Sequence, residues 1–170
     1  PNDNNGQNDR SSGVDIFVYD RTTKTIERVS LTENGEQING ASRNPSISGD
    51  GRYIAFSSNG NSLIKGFKTG NSNVYVRDRV EDKIVGVSVP FSFRANISSA
   101  NPVISEDGNF VAFEFSASES DPRLAYKYRD IYLFNRVTRA VERITGSKVG
   151  QEADKTESIL PAISADGRYV

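Results

Sequence analysis

The 170-residue chain has no cysteine, no histidine, no tryptophan and no methionine. Without cysteine, neither a disulfide nor a thiolate metal site can form. Without histidine, the commonest general base and the commonest metal ligand are both missing. No stretch approaches the roughly 18 consecutive apolar residues of a membrane-spanning helix, and nothing reads as a signal peptide. A charge excess is lacking too. The chain carries 21 basic and 22 acidic residues, a formal net charge of -1, whereas a nucleic-acid binder carries a basic surplus. There is no Gly-x-Ser-x-Gly elbow, no phosphate-binding glycine loop with its lysine, and no carboxylate pair that stands out for glycoside hydrolysis. The expectations are no enzyme activity, no nucleic-acid partner and no membrane insertion. The chain starts at Pro1 and stops at Tyr169-Val170 within an apolar run, so any targeting segment is expected upstream.

What the sequence does contain is repetition. One phrase reads Asp15-Ile16-Phe17-Val18-Tyr19-Asp20-Arg21 and closes on Glu27-Arg28-Val29-Ser30. It returns as Asn73-Val74-Tyr75-Val76-Arg77-Asp78-Arg79, closing on Val85-Gly86-Val87-Ser88. It returns again as Asp130-Ile131-Tyr132-Leu133-Phe134-Asn135-Arg136, closing on Glu142-Arg143-Ile144-Thr145. A second phrase is interleaved with it: Pro45-Ser46-Ile47-Ser48-Gly49-Asp50-Gly51-Arg52-Tyr53-Ile54-Ala55-Phe56, then its copies from Pro102 to Phe113 and from Pro161 to Val170. The first phrase starts at 15, 73 and 130, the second at 45, 102 and 161. Two phrases on one period of about 58 residues mark a repeat architecture.

Each phrase predicts a β-hairpin. In the second, Asp-Gly separates two runs of β-branched and aromatic residues; Asp tolerates a left-handed backbone, Gly adopts positive φ freely, and the preceding Ser can bond the turn. In the first, Arg21-Thr22-Thr23-Lys24 separates strands at Ile16–Tyr19 and Thr25–Val29. Two hairpins per period give four strands per unit, with no convincing helical periodicity. Tyr53-Ile54-Ala55-Phe56 and Ile16-Phe17-Val18-Tyr19 are apolar at every position, so both faces of the sheet are expected to be buried, unlike a sheet with one wet face. Four-stranded sheets stacked radially on copies of themselves meet that demand. The rivals are a β-solenoid and a two-sheet sandwich; the sandwich predicts irregular strand spacing and one solvated face per sheet.

The fold class expected is therefore all-β: a partial β-propeller of four-stranded antiparallel blades, about three blade equivalents. Residues 1–14 form a polar loop, 15–30 the outer hairpin of an incomplete blade, 41–89 and 98–145 two blades, and 158–170 the start of a truncated one. Closed propellers have about four to eight blades, so further blades of the same parent chain are expected partners. Connections 31–44, 59–72, 89–101, 116–129 and 146–160 differ from copy to copy, and loops on rigid strands are where such scaffolds carry function.

Ser-x-Asp-Gly-Arg-Tyr-(Ile/Val)-Ala-Phe, with Asp-(Ile/Val)-(Phe/Tyr)-Val-x-Asp-Arg, resembles the WD-like repeats of the TolB-type propeller superfamily, in particular a long-period bacterial subgroup of exported proteins. The resemblance covers Asp15 to Val170. It implies a periplasmic, cell-surface or secreted location. It leaves function open, because members include periplasmic adaptors and the propellers that gate certain serine peptidases. In that subgroup the loop before the first phrase resembles Asp-x-Asn-Gly, whose oxygens suit Ca²⁺. The counterpart here is Asp3-Asn4-Asn5-Gly6 followed by a longer spacer to Asp15, which makes Asp3, Asn5 and Asp15 candidate calcium ligands, against the alternative of a solvated polar loop. No other cofactor is implied.

Asp50, Asp107 and Asp166 read as turn residues rather than a carboxylate array. Arg21, Arg79 and Arg136 read as local turn partners, with a basic ring for an anionic ligand as the alternative. Tyr19, Tyr53, Tyr75, Phe110 and Tyr132 read as blade packing. The function expected is a non-enzymatic binding or scaffold module that meets a protein or glycan through its loops; the alternatives are the accessory propeller of a larger hydrolase and a mainly structural, calcium-stabilised array.

Overall fold

The computed structural model describes residues 13–60, 63–65, 71–88, 97–117, 129–145 and 157–170. Ten strands occur among them: β1 (Phe17–Tyr19), β2 (Ile26–Arg28), β3 (Ser42–Ile47), β4 (Tyr53–Ser58), β5 (Asn73–Asp78), β6 (Lys83–Gly86), β7 (Ile97–Ile104), β8 (Phe110–Ala117), β9 (Arg129–Asn135) and β10 (Val141–Arg143). They form a two-stranded sheet, β1-β2, and two four-stranded antiparallel meanders, β3-β4-β5-β6 and β7-β8-β9-β10. The fold is all-β and is a partial propeller.

The sheets stack because both faces of the middle strands are apolar. All six residues of β4 are buried. Tyr53 and Ala55 point into a cluster shared with Val111, Phe113 and Phe134 of the next sheet. Ile54 and Phe56 point the other way, toward Ile16 and Val29 of the first hairpin. The far face of the third sheet repeats the arrangement: Ala112, Ile131 and Leu133 pack with Phe110 and with Ile163 of the C-terminal segment. Phe56 and Phe113 are wholly buried, and truncating either to alanine removes about 3–5 kcal/mol.

Tyr19 departs from the packing expected of it, with 54% of its surface exposed. It ends a strand that, among the described residues, is paired on one side only, with β2.

The first strand of each full sheet is bulged at its proline. The register of β3 shifts between Arg43 and Ser46, and that of β7 between Ala100 and Val103. Asn44 and Asn101 there adopt positive φ, 55° and 48°. Proline has no amide to donate and sits at a bulge on an edge strand, where no ladder bond is lost. Leu160, before Pro161, takes the same conformation at φ 54°.

Candidate functional site

The three copies of Ser-x-Asp-Gly fold identically. The Ser48, Ser105 and Ser164 hydroxyls donate to Asp50, Asp107 and Asp166 at 2.6, 2.5 and 2.7 Å. Each hydroxyl also accepts from the amide of Tyr53, Phe110 or Tyr169, at 2.9, 3.0 and 3.0 Å. Each aspartate accepts from the amide two residues on. Within these turns only the glycine carries positive φ: 70° at Gly51, 71° at Gly108 and 73° at Gly167. The aspartates do not take the left-handed backbone expected of them. The turn is a longer one closed by Ser48 N–H to Tyr53 O and by Gly51 N–H to Ser48 O, both 2.9 Å, so of the four residues it encloses only Gly51 is left-handed.

These bonds hold the carboxyls low. Ser48 and the Arg52 amide keep Asp50 below the usual carboxylate range, and Ser164 and the Arg168 amide do the same for Asp166. At Asp107 burial pushes upward, but Ser105 and both Asn109 donors outweigh it and the carboxyl also lies low. The turns lie side by side: the Gly49 amide donates to Glu106 O at 2.9 Å, and the Asp107 amide reaches Ala165 O at 3.4 Å. An open hollow of about 490 Å³ lined by Gly49, Asp50, Glu106, Asp107, Ala165 and Asp166 follows this row.

The turns of the first phrase lie beside them. Asp20, Asp78 and Asn135 each cap two amides of their own turn. Arg79 and Arg136 each donate to the left-handed glycine of the neighbouring turn, Gly51 O and Gly108 O, both at 2.8 Å. They are the local turn partners expected, and they also reach the preceding unit. Arg79 grips the Glu27 carboxylate through Nε and Nη2 at 2.8 and 2.6 Å. Arg136 lies over the Tyr53 ring, 3.9 Å from its centroid. Arg21 is exposed.

Between the two full sheets a notch of about 130 Å³ is lined by Arg52, Tyr53, Asp78, Glu81, Lys83, Val85, Arg136 and Arg139, with Val76 behind. Arg52 makes a two-pronged bond to Asp78, at 2.9 and 2.7 Å, which lowers the Asp78 carboxyl and raises the guanidinium. Lys83 binds Glu81 at 2.8 Å, lowering that carboxyl. The repeat did not single out this notch. Its signal is a difference between copies, not a shared motif: Val85 stands in register where the first hairpin has Glu27.

Of the candidate calcium ligands, Asp3 and Asn5 lie outside the described residues. Asp15 is placed, with its side chain almost fully buried. One oxygen accepts from the Ser30 hydroxyl at 2.8 Å and the other faces Arg28 at 3.9 Å. The Ser30 hydroxyl accepts from the Ile16 amide at 3.1 Å. Asn73 with Ser88, and Asp130 with Thr145, repeat this lock. The charge of Arg28 already faces the Asp15 carboxylate, which does not favour a divalent cation there. Among the described residues no group of three acidic side chains converges as a metal site.

No family model matches the sequence, and no curated protein matches it. Solved structures do. The crystal structure of TolB from Acinetobacter baumannii is 20% identical, over 91% of this chain and 30% of that one, with a TM-score of 0.48. Oligogalacturonate lyase in complex with manganese is 14% identical, over 89% of this chain and 35% of that one, at 0.49. The tricorn protease is 15% identical, over 88% of this chain and 12% of that one, at 0.50. This chain therefore spans about a third or less of each. The likeness is one of fold alone, and that fold is the β-propeller.

Proposed function

We propose that the chain is a non-enzymatic propeller module that binds a protein or glycan partner through the loops on its stacked sheets. The observation that supports this is where the repeated polar side chains go. Ser48, Asp50, Asp78, Arg79, Asp107 and Arg136 are engaged in turn closure and contacts between units, so the copies share a frame and differ in their loops. Such loops on a rigid frame suit recognition. Further blades of the same parent chain complete the ring, and the module works in the periplasm, at the cell surface or secreted. The test is photo-crosslinking and glycan-array binding with the purified chain. Binding lost on replacing the exposed Glu33, Asn34 and Glu36 with serine, at unchanged melting temperature, supports the proposal. Turnover of ester, peptide or glycoside substrates by the chain overturns it.

The likeness to part of the tricorn protease supports a second reading, the accessory propeller of a larger hydrolase. A catalytic domain in the same reading frame decides for it.

A calcium role for Asp3, Asn5 and Asp15 is a further proposal. An equal melting temperature in millimolar Ca²⁺ and in chelator ends it.

A further inference from the structure

Two joints between units can be compared position by position. At the first, Glu27 of β2 puts its carboxylate on the Nε and Nη2 of Arg79. At the second, Val85 of β6 occupies the place of Glu27: it pairs with Val76 as Glu27 pairs with Val18. Arg136 occupies the place of Arg79, donating to Gly108 O as Arg79 donates to Gly51 O. The second joint keeps the arginine and lacks the carboxylate. The surrounding charges change in both directions: Thr23 becomes Glu81, which Lys83 binds, while on the facing side cations are gained. Asp82, at the left-handed position of its turn (φ 52°), is replaced by Arg139 (φ 64°), and Thr25 by Lys83.

The space left is the notch lined by Val85, Arg136 and Arg139. Four cationic side chains line it against two anionic ones. Both carboxylates are already engaged, Asp78 by Arg52 and Glu81 by Lys83. Among the described residues Arg136 donates to neutral acceptors, Gly108 O and Asn109 Oδ1, and rests on the Tyr53 ring; its charge also acts on the Asp107 carboxylate, which Ser105 and Asn109 already hold by hydrogen bonds. Among the described residues, neither Arg136 nor Arg139 has a carboxylate within salt-bridge distance.

We propose that this notch binds a carboxylate brought by a ligand, which takes the place that Glu27 fills in cis at the first joint. Val85 gives it an apolar wall, and Arg136 and Arg139 supply the charge. A guanidinium suits a carboxylate because its N–H groups match the two oxygens. This site lies apart from the variable loops and does not rest on the loop-binding proposal. The carboxylate comes from a free dicarboxylate or from an acidic side chain of a partner.

The experiment is an NMR titration of the full 170-residue chain at fixed ionic strength with two probes, glutarate and the blocked peptide acetyl-Gly-Glu-Gly-amide, reading the Val85 amide and the Arg136 Nε–H. Saturable shifts at both positions are expected. The tighter probe identifies the source, small molecule or protein side chain. Val85→Glu supplies the carboxylate internally and is expected to abolish the response. Arg139→Asp, on an exposed turn, is expected to weaken binding about tenfold, the equivalent of about 1.4 kcal/mol, and keeps the test open if Val85→Glu fails to fold. No saturable shift with either probe overturns the proposal. So does a shift that Arg139→Asp or a folded Val85→Glu leaves unchanged.

Discussion

The ring of Tyr53 occupies the place that a side chain on Gly108 would take: a Cβ there would lie 2.4 Å from Tyr53 Cδ2. Gly167 stands in the same relation to Phe110, at 2.2 Å. Among the described residues Gly51 has no such neighbour; its nearest atoms lie at 3.8 and 3.9 Å. All three glycines are left-handed. Gly51→Ala is therefore expected to cost only the backbone term, about 1 kcal/mol. Gly108→Ala adds displacement of a buried ring and is expected to cost about 2–4 kcal/mol. Urea unfolding of the two variants checks the difference; equal losses would mean that Tyr53 gives way freely.

Leu160 holds a left-handed backbone that Asn44 and Asn101 hold at the equivalent bulges, and its side chain is 70% exposed. Its amide donates to Glu114 Oε1 at 2.7 Å, a backbone bond that asparagine would keep. Leu160→Asn is expected to stabilise the chain by about 0.5–1 kcal/mol, read as a rise in the urea midpoint at constant slope.

Ser105 is buried, and its hydroxyl both donates to Asp107 and accepts from the Phe110 amide. Ser105→Ala leaves that amide without its acceptor and is expected to cost about 1–3 kcal/mol. Ser164→Ala breaks the same bonds on an exposed turn, where water replaces the hydroxyl, and is expected to cost less. Thermal unfolding of both variants measures the gap.

Asp50, Asp78, Asp107 and Asp166 all titrate below the ordinary carboxylate range in the folded chain. The unfolded chain then binds protons more readily, so their contribution is complete above the unfolded value, about pH 4. It is lost as pH falls through the lower folded values. Stability is expected to be flat from about pH 5 to 7 and to fall steeply below about pH 4. Asp78→Asn, which discards the two-pronged bond to Arg52, is expected to flatten that fall; acid titrations followed by circular dichroism compare the two.

The strands and hairpins were legible in the sequence because their signals are local. Asp-Gly after Ser marks each turn, and the uniformly apolar Tyr53-Ile54-Ala55-Phe56 announces a strand buried on both faces, as β4 is. Turn geometry was less legible. Asp-Gly suggests two left-handed residues, yet the serine hydroxyl bonds in from five residues away and leaves only the glycine left-handed. The notch left no motif at all. Glu27 with Arg79, and Val85 with Arg136, are paired across a unit, so no window of neighbouring residues contains both. The difference appears only when copies are aligned residue by residue.

The Tyr53–Gly108 contact also has a direction. One unit contributes the ring and the next contributes the bare turn that receives it, so the two mating surfaces are different, plug and socket. Such a joint is heterologous. Two units cannot meet across it with two-fold symmetry, since ring would face ring. Association that reproduces this joint can only run head to tail, so the Tyr53–Gly108 contact that gives the blades their order is denied to any symmetric dimer.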